Sequence, residues 1–190
     1  MREIVSRPIE WNKQRYDQVY SHTLAGDLVY EEYMEFLQAE ELVDQLDALC
    51  DLHFVLIGVL WKLKANPEEL LDMSVLDILE WYKAVTLDAA FEKLVNSFLE
   101  AEYNDKAPQR VIAFAVKLLE ITWGAAHCRL NLTANQFKKA ILVVCDSNDS
   151  KSVAKVKTDP SIKANKDKGS TFIAPEPRLQ LILDEVRDEH

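Results

Sequence analysis

Two short stretches in the first third of the chain carry carboxylates at spacings that suit divalent-cation chemistry. Glu32 and Glu35 are three residues apart, Asp44 and Asp47 are three apart, and Asp51 follows four residues after Asp47. Side chains three or four positions apart share a helix face, so each stretch predicts an acidic stripe on a helix. Mg²⁺ and Mn²⁺ prefer oxygen ligands, and Mg²⁺ keeps several waters that a phosphate can replace. The carboxylates therefore predict a site for one to three such ions.

The connection at residues 38–41 decides whether the two stripes can meet. In one straight helix over residues 27–64, Glu32 and Asp44 would lie about 18 Å apart and could not share a cation. A turn at residues 38–41 would instead form an antiparallel hairpin with facing stripes. Apolar residues lie between the acids and follow them, which favours a position near the core. The alternative is that these acids cap helices or face water.

The spacing of these acids resembles that of a known superfamily. The pattern Glu32-x-x-Glu35, then Asp44-x-x-Asp47 and the run from Asp47 to Val55, is similar to the all-α nucleoside triphosphate pyrophosphohydrolases. That superfamily includes the MazG-like proteins, the all-α dUTPases and phosphoribosyl-ATP pyrophosphohydrolase. The MazG-like proteins of phage and bacteria resemble this stretch most, and the resemblance covers roughly residues 10–65.

The resemblance implies an antiparallel helical bundle and a reaction. The expected reaction is Mg²⁺-dependent hydrolysis of a (deoxy)nucleoside triphosphate to the monophosphate and pyrophosphate, by attack of water at the α-phosphorus. The resemblance assigns metal binding to Glu32, Glu35, Asp44 and Asp47. It makes Asp51 a fifth ligand or a support for the other ligands, and it makes Glu31 or Glu35 the acid that orients the attacking water. Since relatives assemble as dimers or tetramers, a homodimer or homotetramer is expected.

Two further groups of residues are candidates for substrate binding. Asn148 and Lys151 match an Asn-x-Ser-Lys-like motif that lies near the phosphates in MazG-like proteins, and a Lys supplies a point charge for a phosphate. A turn with no role is the alternative there. Trp11, Asn12 and Tyr16 could stack on a base and bond its edge, but the helical spacing of these aromatic residues is also typical of a core-facing stripe.

Composition favours an all-α protein that does not bind nucleic acid. The chain has only four Gly among 190 residues, and few turns favour helices. Its net charge of −10 argues against nonspecific nucleic-acid binding, which depends on Lys and Arg. The three Cys are widely spaced and form no zinc or disulfide framework, as expected of reduced, buried thiols in the cytoplasm. No signal peptide or membrane span is expected.

Helical periodicity predicts the elements that position these residues. A helical domain is expected over residues 1–150, and a Lys-rich segment with a short docking helix over 151–190. The Lys-rich part, 151–170, could be a lid over the phosphates or a solvated linker. Helices are expected at 8–22, with Pro8 in the first turn; from an N-cap at Gly26-Asp27; and over 67–84, 86–102, 109–127 and 133–144, the last capped by Thr133.

Three functions remain open from the sequence. The first is the Mg²⁺-dependent pyrophosphohydrolase, and the second is the same fold acting on phosphoribosyl-ATP. The third is a non-enzymatic helical interaction protein, or an inactive relative, whose acids are surface features. The chain contains no P-loop, no G-x-G-x-x-G motif and no Glu-x-x-His pair, so neither a glycine-rich phosphate loop nor a di-iron carboxylate bundle is expected.

Overall fold

The computed structural model describes residues 2–67, 87–153, 166–167 and 169–188. These residues form an all-α fold with one short pair of strands, which confirms the predicted class. The helices are α1 (Arg2–Arg15), α2 (His22–Gln38), α3 (Leu42–Lys62), α4 (Leu87–Leu99), α5 (Gln109–Leu130), α6 (Ala134–Ser150) and α7 (Glu176–Asp188). The antiparallel strands are β1 (Ser152–Val153) and β2 (Lys166–Asp167), with Ser152 opposite Asp167. The helix predicted over 67–84 lies outside the described residues from position 68 onward.

Helix α3 lies at the centre of the fold. It packs against α1, α2, α5, α6 and α7, and nearly every residue from Leu52 to Leu60 is buried. An apolar segment of this kind must be covered on several sides because exposing it to water is unfavourable. The C-terminal helix α7 contributes four side chains to the same core, Leu179, Ile182, Leu183 and Val186. The predicted docking helix is therefore part of the main core.

Helix α5 is the second buried helix. Within the described ranges it is the one helix long and apolar enough to cross a membrane by length and composition, although no span was expected from the sequence. Of its most apolar window, 56% is buried inside the fold, as in the core helix of a soluble protein. It ends at Asn131, whose φ of 55° is left-handed, a common way to terminate a helix.

The first helix differs from the prediction, which placed it at 8–22 with Pro8 in its first turn. Helix α1 begins at Arg2, so Pro8 is inside it. Proline has no backbone N–H and would leave the carbonyl of residue 4 without its helical donor. Here His53 Nε2 on α3 bonds to Ile4 O at 3.2 Å. The side chain of His53 thus replaces the missing helical hydrogen bond, an effect that local sequence rules do not capture.

His53 also fixes α5 against α3. Trp123 Nε1 donates to His53 Nδ1 at 3.3 Å, so Nδ1 is the acceptor and Nε2 carries the proton that is donated to Ile4 O. The imidazole is fully buried, and burial lowers the pKa of His53 to about 4. A neutral ring with one donor and one acceptor satisfies both partners, so α1, α3 and α5 are joined through one side chain.

Two other helix boundaries also differ from the prediction. Helix α2 begins after Ser21, whose hydroxyl accepts from Leu24 N, and the expected break at Gly26-Asp27 is absent. A Cβ at Gly26 would lie 3.1 Å from Leu99 Cδ2, so this glycine permits α2 to approach α4 closely. Helix α6 has the predicted Thr133 cap, within a capping box, but it continues to Ser150, so residues 147–150 are helical and do not form a turn.

The cysteines are free, as expected, but not all are buried. Cys50 and Cys145 are buried, whereas Cys128 near the end of α5 is exposed. Burial raises the pKa of both buried thiols, that of Cys145 to about 12. They are therefore protonated core side chains, and the expectation of a buried thiol is wrong for Cys128.

A double-mutant cycle tests the role of His53. His53→Leu leaves Ile4 O and the Trp123 indole N–H unpaired, so we expect the free energy of unfolding to fall by about 2–4 kcal/mol in urea denaturation. Pro8→Ala restores a backbone donor to Ile4 O and should reduce this loss. His53→Gln, which retains a donor and an acceptor, is the matched control. An equal loss with and without Pro8→Ala would contradict this account.

Candidate metal and phosphate site

The site is built on the hairpin of α2 and α3. The helices are joined by residues 39–41 only, and Gln45 Nε2 donates to Ala39 O at 3.1 Å across the turn. A connection this short makes the two helices antiparallel neighbours. The predicted turn at 38–41 is therefore confirmed, and the acidic end of α2 lies opposite the acidic start of α3.

Asp47 is a strongly perturbed carboxyl group of this hairpin. Its Oδ1 atom is buried and has no hydrogen-bond partner among the described residues. The pKa of Asp47 is raised to about 7, chiefly by burial and further by the negative charges of Asp51, Glu176 and Glu35, whereas the positive charge of Lys151 lowers it. A buried carboxylate beside like charges is unfavourable when it is ionised. A bound cation would remove that penalty.

A chain of polar contacts connects α3 to the end of α6. Asn148 Nδ2 donates to Asp51 Oδ1 at 3.3 Å, and Lys151 Nζ donates to Asn148 Oδ1 at 2.9 Å. Asn148 is buried, so its amide holds the lysine and the aspartate in fixed positions relative to each other. Because α6 continues to Ser150, Lys151 is the C-cap of the helix, and its ammonium lies close enough to affect Asp47.

The predicted acidic residues do not all occupy equivalent positions. Glu32 is buried, with 8% of its surface exposed, and Glu35 is exposed but acts on Asp47 through its charge. Asp44 and Glu31 are both exposed, and neither is among the charges that shift the pKa of Asp47. The structure thus brings together Glu35, Asp47, Asp51, Asn148 and Lys151, which we call the acidic cluster.

The acidic cluster is suited to a divalent cation but does not form a complete cage. In the ranges that the structure describes, no three carboxylate, imidazole or thiol groups converge closely enough to hold a metal alone. However, no described residue donates a hydrogen bond to Asp47 Oδ1, and a cation would be a suitable partner for it. Mg²⁺ commonly uses one or two carboxylates, with substrate phosphates and water as its other ligands. Asp47 and Asp51 fit that kind of site.

A pocket lies near the acidic cluster. Its cavity volume is ≈ 50 Å³, and α1, α2 and α3 form its walls. It is lined by Trp11, Asn12, Tyr16, Ser21, Leu24, Ala25, Leu28, Phe54, Val55, Gly58, Val59 and Lys62. Val55 is one helical turn beyond Asp51, and Trp11 Nε1 donates to Asn148 O at 3.0 Å. The pocket therefore lies next to the acidic cluster, and we call the two together the groove.

The three N-terminal residues predicted to bind substrate all line this pocket, but they differ in character. Trp11 is buried; its edge meets Phe54 with ring centroids 5.4 Å apart, and the Arg15 guanidinium lies 4.4 Å from its ring centroid. Trp11 is thus a packed wall of the pocket. Tyr16 is partly exposed, and Lys62 Nζ lies 4.2 Å from its ring centroid.

Two contributors to the groove were missed by sequence reasoning. Lys62 lines the pocket, and burial lowers the pKa of Lys62 to about 8. Its spacing from Asp51, Val55 and Gly58 along one face of α3 was a usable indication. Glu176, at the start of α7, acts on Asp47 from 129 positions away in the sequence, and no local pattern could have located it.

Comparison with known proteins provides no relative. No protein-family model matches the chain, and no curated protein or solved structure does so either. The resemblance to the all-α pyrophosphohydrolases therefore stays a prediction that depends on the residues of the hairpin and of α6.

The perturbed carboxyl group leads to a prediction about pH. Because the pKa of Asp47 is higher in the folded state than in the unfolded chain, ionisation above pH 4 destabilises the fold, increasingly up to about pH 7. In the presence of a chelator, Asp47→Asn should raise the free energy of unfolding at pH 8 by about 2 kcal/mol, within the ~4 kcal/mol that such a pKa difference allows. This gain should shrink towards pH 4.

Urea denaturation over a pH series measures this gain. Comparing the variant with the wild type at each pH isolates Asp47 from His53, whose lowered pKa makes stability fall as the pH decreases from about 6.5 to 4. Asp105→Asn, at an exposed loop position before α5, is the matched control. A constant difference between wild type and Asp47→Asn at all pH values would contradict the proposed environment.

Proposed function

We propose that the protein is a Mg²⁺-dependent nucleoside triphosphate pyrophosphohydrolase. The reaction is attack of water at the α-phosphorus of a (deoxy)nucleoside triphosphate, which yields a nucleoside monophosphate and pyrophosphate. The single observation that carries the proposal is the buried Oδ1 of Asp47, which has no hydrogen-bond donor among the described residues, beside Asp51, Glu35 and Lys151. This combination suits a cation that is bound together with a phosphate chain, because the acids favour a positive partner and the lysine favours a negative one.

The proposed roles follow from the chemistry of each side chain. Asp47 and Asp51 would hold Mg²⁺, with Glu32 and Glu35 from α2 as further ligands. When bound, the ion neutralises charge at the phosphates and lowers the pKa of a water molecule. Lys151, fixed by Asn148, offers a positive charge to a phosphate oxygen. Glu35 or Glu31 would orient the attacking water, and exposed Asp44 would act from the rim of the site.

The proposed type of fold goes beyond the all-α class. We infer an antiparallel bundle of the all-α pyrophosphohydrolase type, with a Lys-rich C-terminal segment after Lys151. Most of that segment lies outside the described residues. We also infer a cytoplasmic homodimer or homotetramer. The exposed Tyr30 and Leu37 on α2, at 48% and 47% exposure, and Leu42 offer apolar surface for such an assembly.

Pyrophosphate release tests the proposed activity. With Mg²⁺ and a panel of nucleoside triphosphates plus phosphoribosyl-ATP, we expect the wild type to release pyrophosphate from at least one substrate. Asp47→Asn and Glu35→Gln should each reduce the rate by about 100-fold or more, because they remove charge at the reacting phosphates. Asp105→Asn should retain wild-type activity. Wild-type rates in both site variants would contradict the proposal.

A thermal melt separates the enzyme from the main alternative, a helical interaction protein or inactive relative. The exposure of Asp44 and Glu31 favours that alternative. A cation that binds only the folded state raises the melting temperature, so millimolar Mg²⁺ or Mn²⁺ should stabilise the wild type. Asp47→Asn should lose this shift while Asp105→Asn keeps it. No shift in the wild type would favour the interaction protein.

A further inference from the structure

The pocket between α1, α2 and α3 has a mainly apolar lining that also includes the polar side chains of Asn12, Tyr16, Ser21 and Lys62. Most of its lining is aliphatic or aromatic, and Lys62 is the one charged residue among its described lining residues. A phosphate would meet a single positive charge and little other polar surface there. The polar edge of a flat, mostly apolar ring is the better match, since apolar walls with a few placed polar groups are typical of small-molecule sites. A cavity of ≈ 50 Å³ can admit the edge of such a ring but not the whole ring, because a cavity that holds benzene is about three times larger.

Asn12 presents a hydrogen-bond acceptor to this pocket. Its Nδ2 donates to Pro8 O at 2.8 Å, and because a carbonyl can only accept, the amide is fixed with its NH₂ group towards α1. Oδ1 is then the edge that remains for a ligand. The side chain is only 6% exposed, so a ligand N–H that pairs with Oδ1 would do so away from bulk water, where an unpaired polar group is costly.

Gly58 provides the space for this amide. A Cβ at position 58 would lie 2.9 Å from Asn12 Nδ2 and 3.2 Å from its Oδ1, closer than side-chain carbons normally approach. Glycine inside a helix costs about 1 kcal/mol relative to alanine, so its presence in the middle of α3 needs a reason. The close seating of the Asn12 amide is that reason.

Lys62 supplies the complementary donor. It lies four residues after Gly58 on α3, hence on the same face and about 6 Å further along the axis. Its ammonium rests on the face of Tyr16, which directs its remaining N–H groups away from that ring. Although burial lowers the pKa of Lys62 to about 8, the group is mainly protonated at neutral pH and can donate to a carbonyl oxygen.

We propose that this pocket recognises the lactam edge of a nucleobase, with Asn12 Oδ1 accepting from the ring N–H and Lys62 Nζ donating to the adjacent C=O. Uracil, thymine, guanine and hypoxanthine have this edge, whereas adenine has neither the ring N–H nor the carbonyl. The inference rests on the proposed function in that it takes the substrate to be a nucleotide. Asp51 is seven residues before Gly58, about 10 Å along α3, which leaves room for a sugar between base and phosphates.

Two pairs of nucleosides isolate the recognised edge. Inosine and adenosine differ in the purine edge at positions 1 and 6, and N3-methylation of uridine replaces the N–H donor with a methyl group, which also adds bulk at this edge. In NMR titrations of the full chain without metal, we expect inosine to bind at least about tenfold more tightly than adenosine, and uridine at least about tenfold more tightly than N3-methyluridine, as for other two-point base contacts. Nucleosides carry no phosphate, so this binding does not depend on catalysis.

Variants test the two proposed hydrogen bonds, from Lys62 and to Asn12, separately. Lys62→Met keeps the length of the side chain and should bring the inosine-to-adenosine ratio to within about threefold, because it removes the donor. Gly58→Ala should displace the Asn12 amide and reduce the preference for uridine over N3-methyluridine. Lys13→Met, at an exposed position next to Asn12, is the matched control and should leave both ratios unchanged.

The outcomes separate this inference from the proposed function. Equal affinity within both wild-type pairs, or no detectable nucleoside binding at millimolar concentration, would overturn lactam recognition. Edge discrimination without hydrolysis of any triphosphate would support the pocket assignment and reject the pyrophosphohydrolase. Hydrolysis at equal kcat/KM for inosine and adenosine triphosphates, with equal binding of the two nucleosides, would support the enzyme and reject the lactam proposal.

Discussion

The position of the Asp47 carboxylate depends on the packing of α3, and the rest of the site depends on that position. Burial and neighbouring acids raise the pKa of Asp47, so the fold accepts an unfavourable ionised group at neutral pH. A large core compensates for this cost, because α3 is buried along most of its length against five other helices. A destabilising group held in a groove is a common property of functional sites. The proposed cation ligand Asp47 is therefore also a group whose ionised form destabilises the fold.

The contact between His53 and Ile4 has a wider consequence for the groove. By replacing the hydrogen bond that Pro8 removes, His53 allows α1 to continue beyond the proline and to pack along α3. Asn12 and Tyr16 lie in the C-terminal half of α1, so their positions depend on that continuation. Pro8 O in turn receives the Asn12 amide. One histidine in the core thus helps to set both the direction of α1 and the edge that Asn12 presents.

The parts of the fold that the sequence predicted are those with local causes. The short connection between two acidic helical stretches predicted the hairpin, and Thr133 predicted the start of α6 through its cap. Pro8 misled the prediction of α1, because the rule that proline begins a helix assumes no distant donor for the freed carbonyl, and His53 is 49 residues away. The polar residues 147–150 suggested a turn, but packing keeps them helical.

In the candidate site, too, the residues that could be predicted are those with a local sequence signal. Acid spacing identified Asp47 and Asp51, and the resemblance identified Asn148 and Lys151, which the structure brings together with them. Spacing could not distinguish exposed Asp44 from half-buried Asp47, because the two are three residues apart on α3 and their burial depends on tertiary packing. Glu176 reaches the cluster only through tertiary structure, and Lys62 was hidden at the end of an apolar run.

Paramagnetic broadening by Mn²⁺ tests the central claim, cation binding by the acidic cluster, most directly. In an amide NMR spectrum of the full chain, substoichiometric Mn²⁺ should first broaden the signals of residues near Asp47 and Asp51 on α3, together with the side-chain NH₂ of Asn148, because the effect falls steeply with distance from the ion. In Asp47→Asn this selective loss should disappear. Broadening that begins elsewhere, or that spreads evenly over exposed acids and persists in Asp47→Asn, would contradict the account.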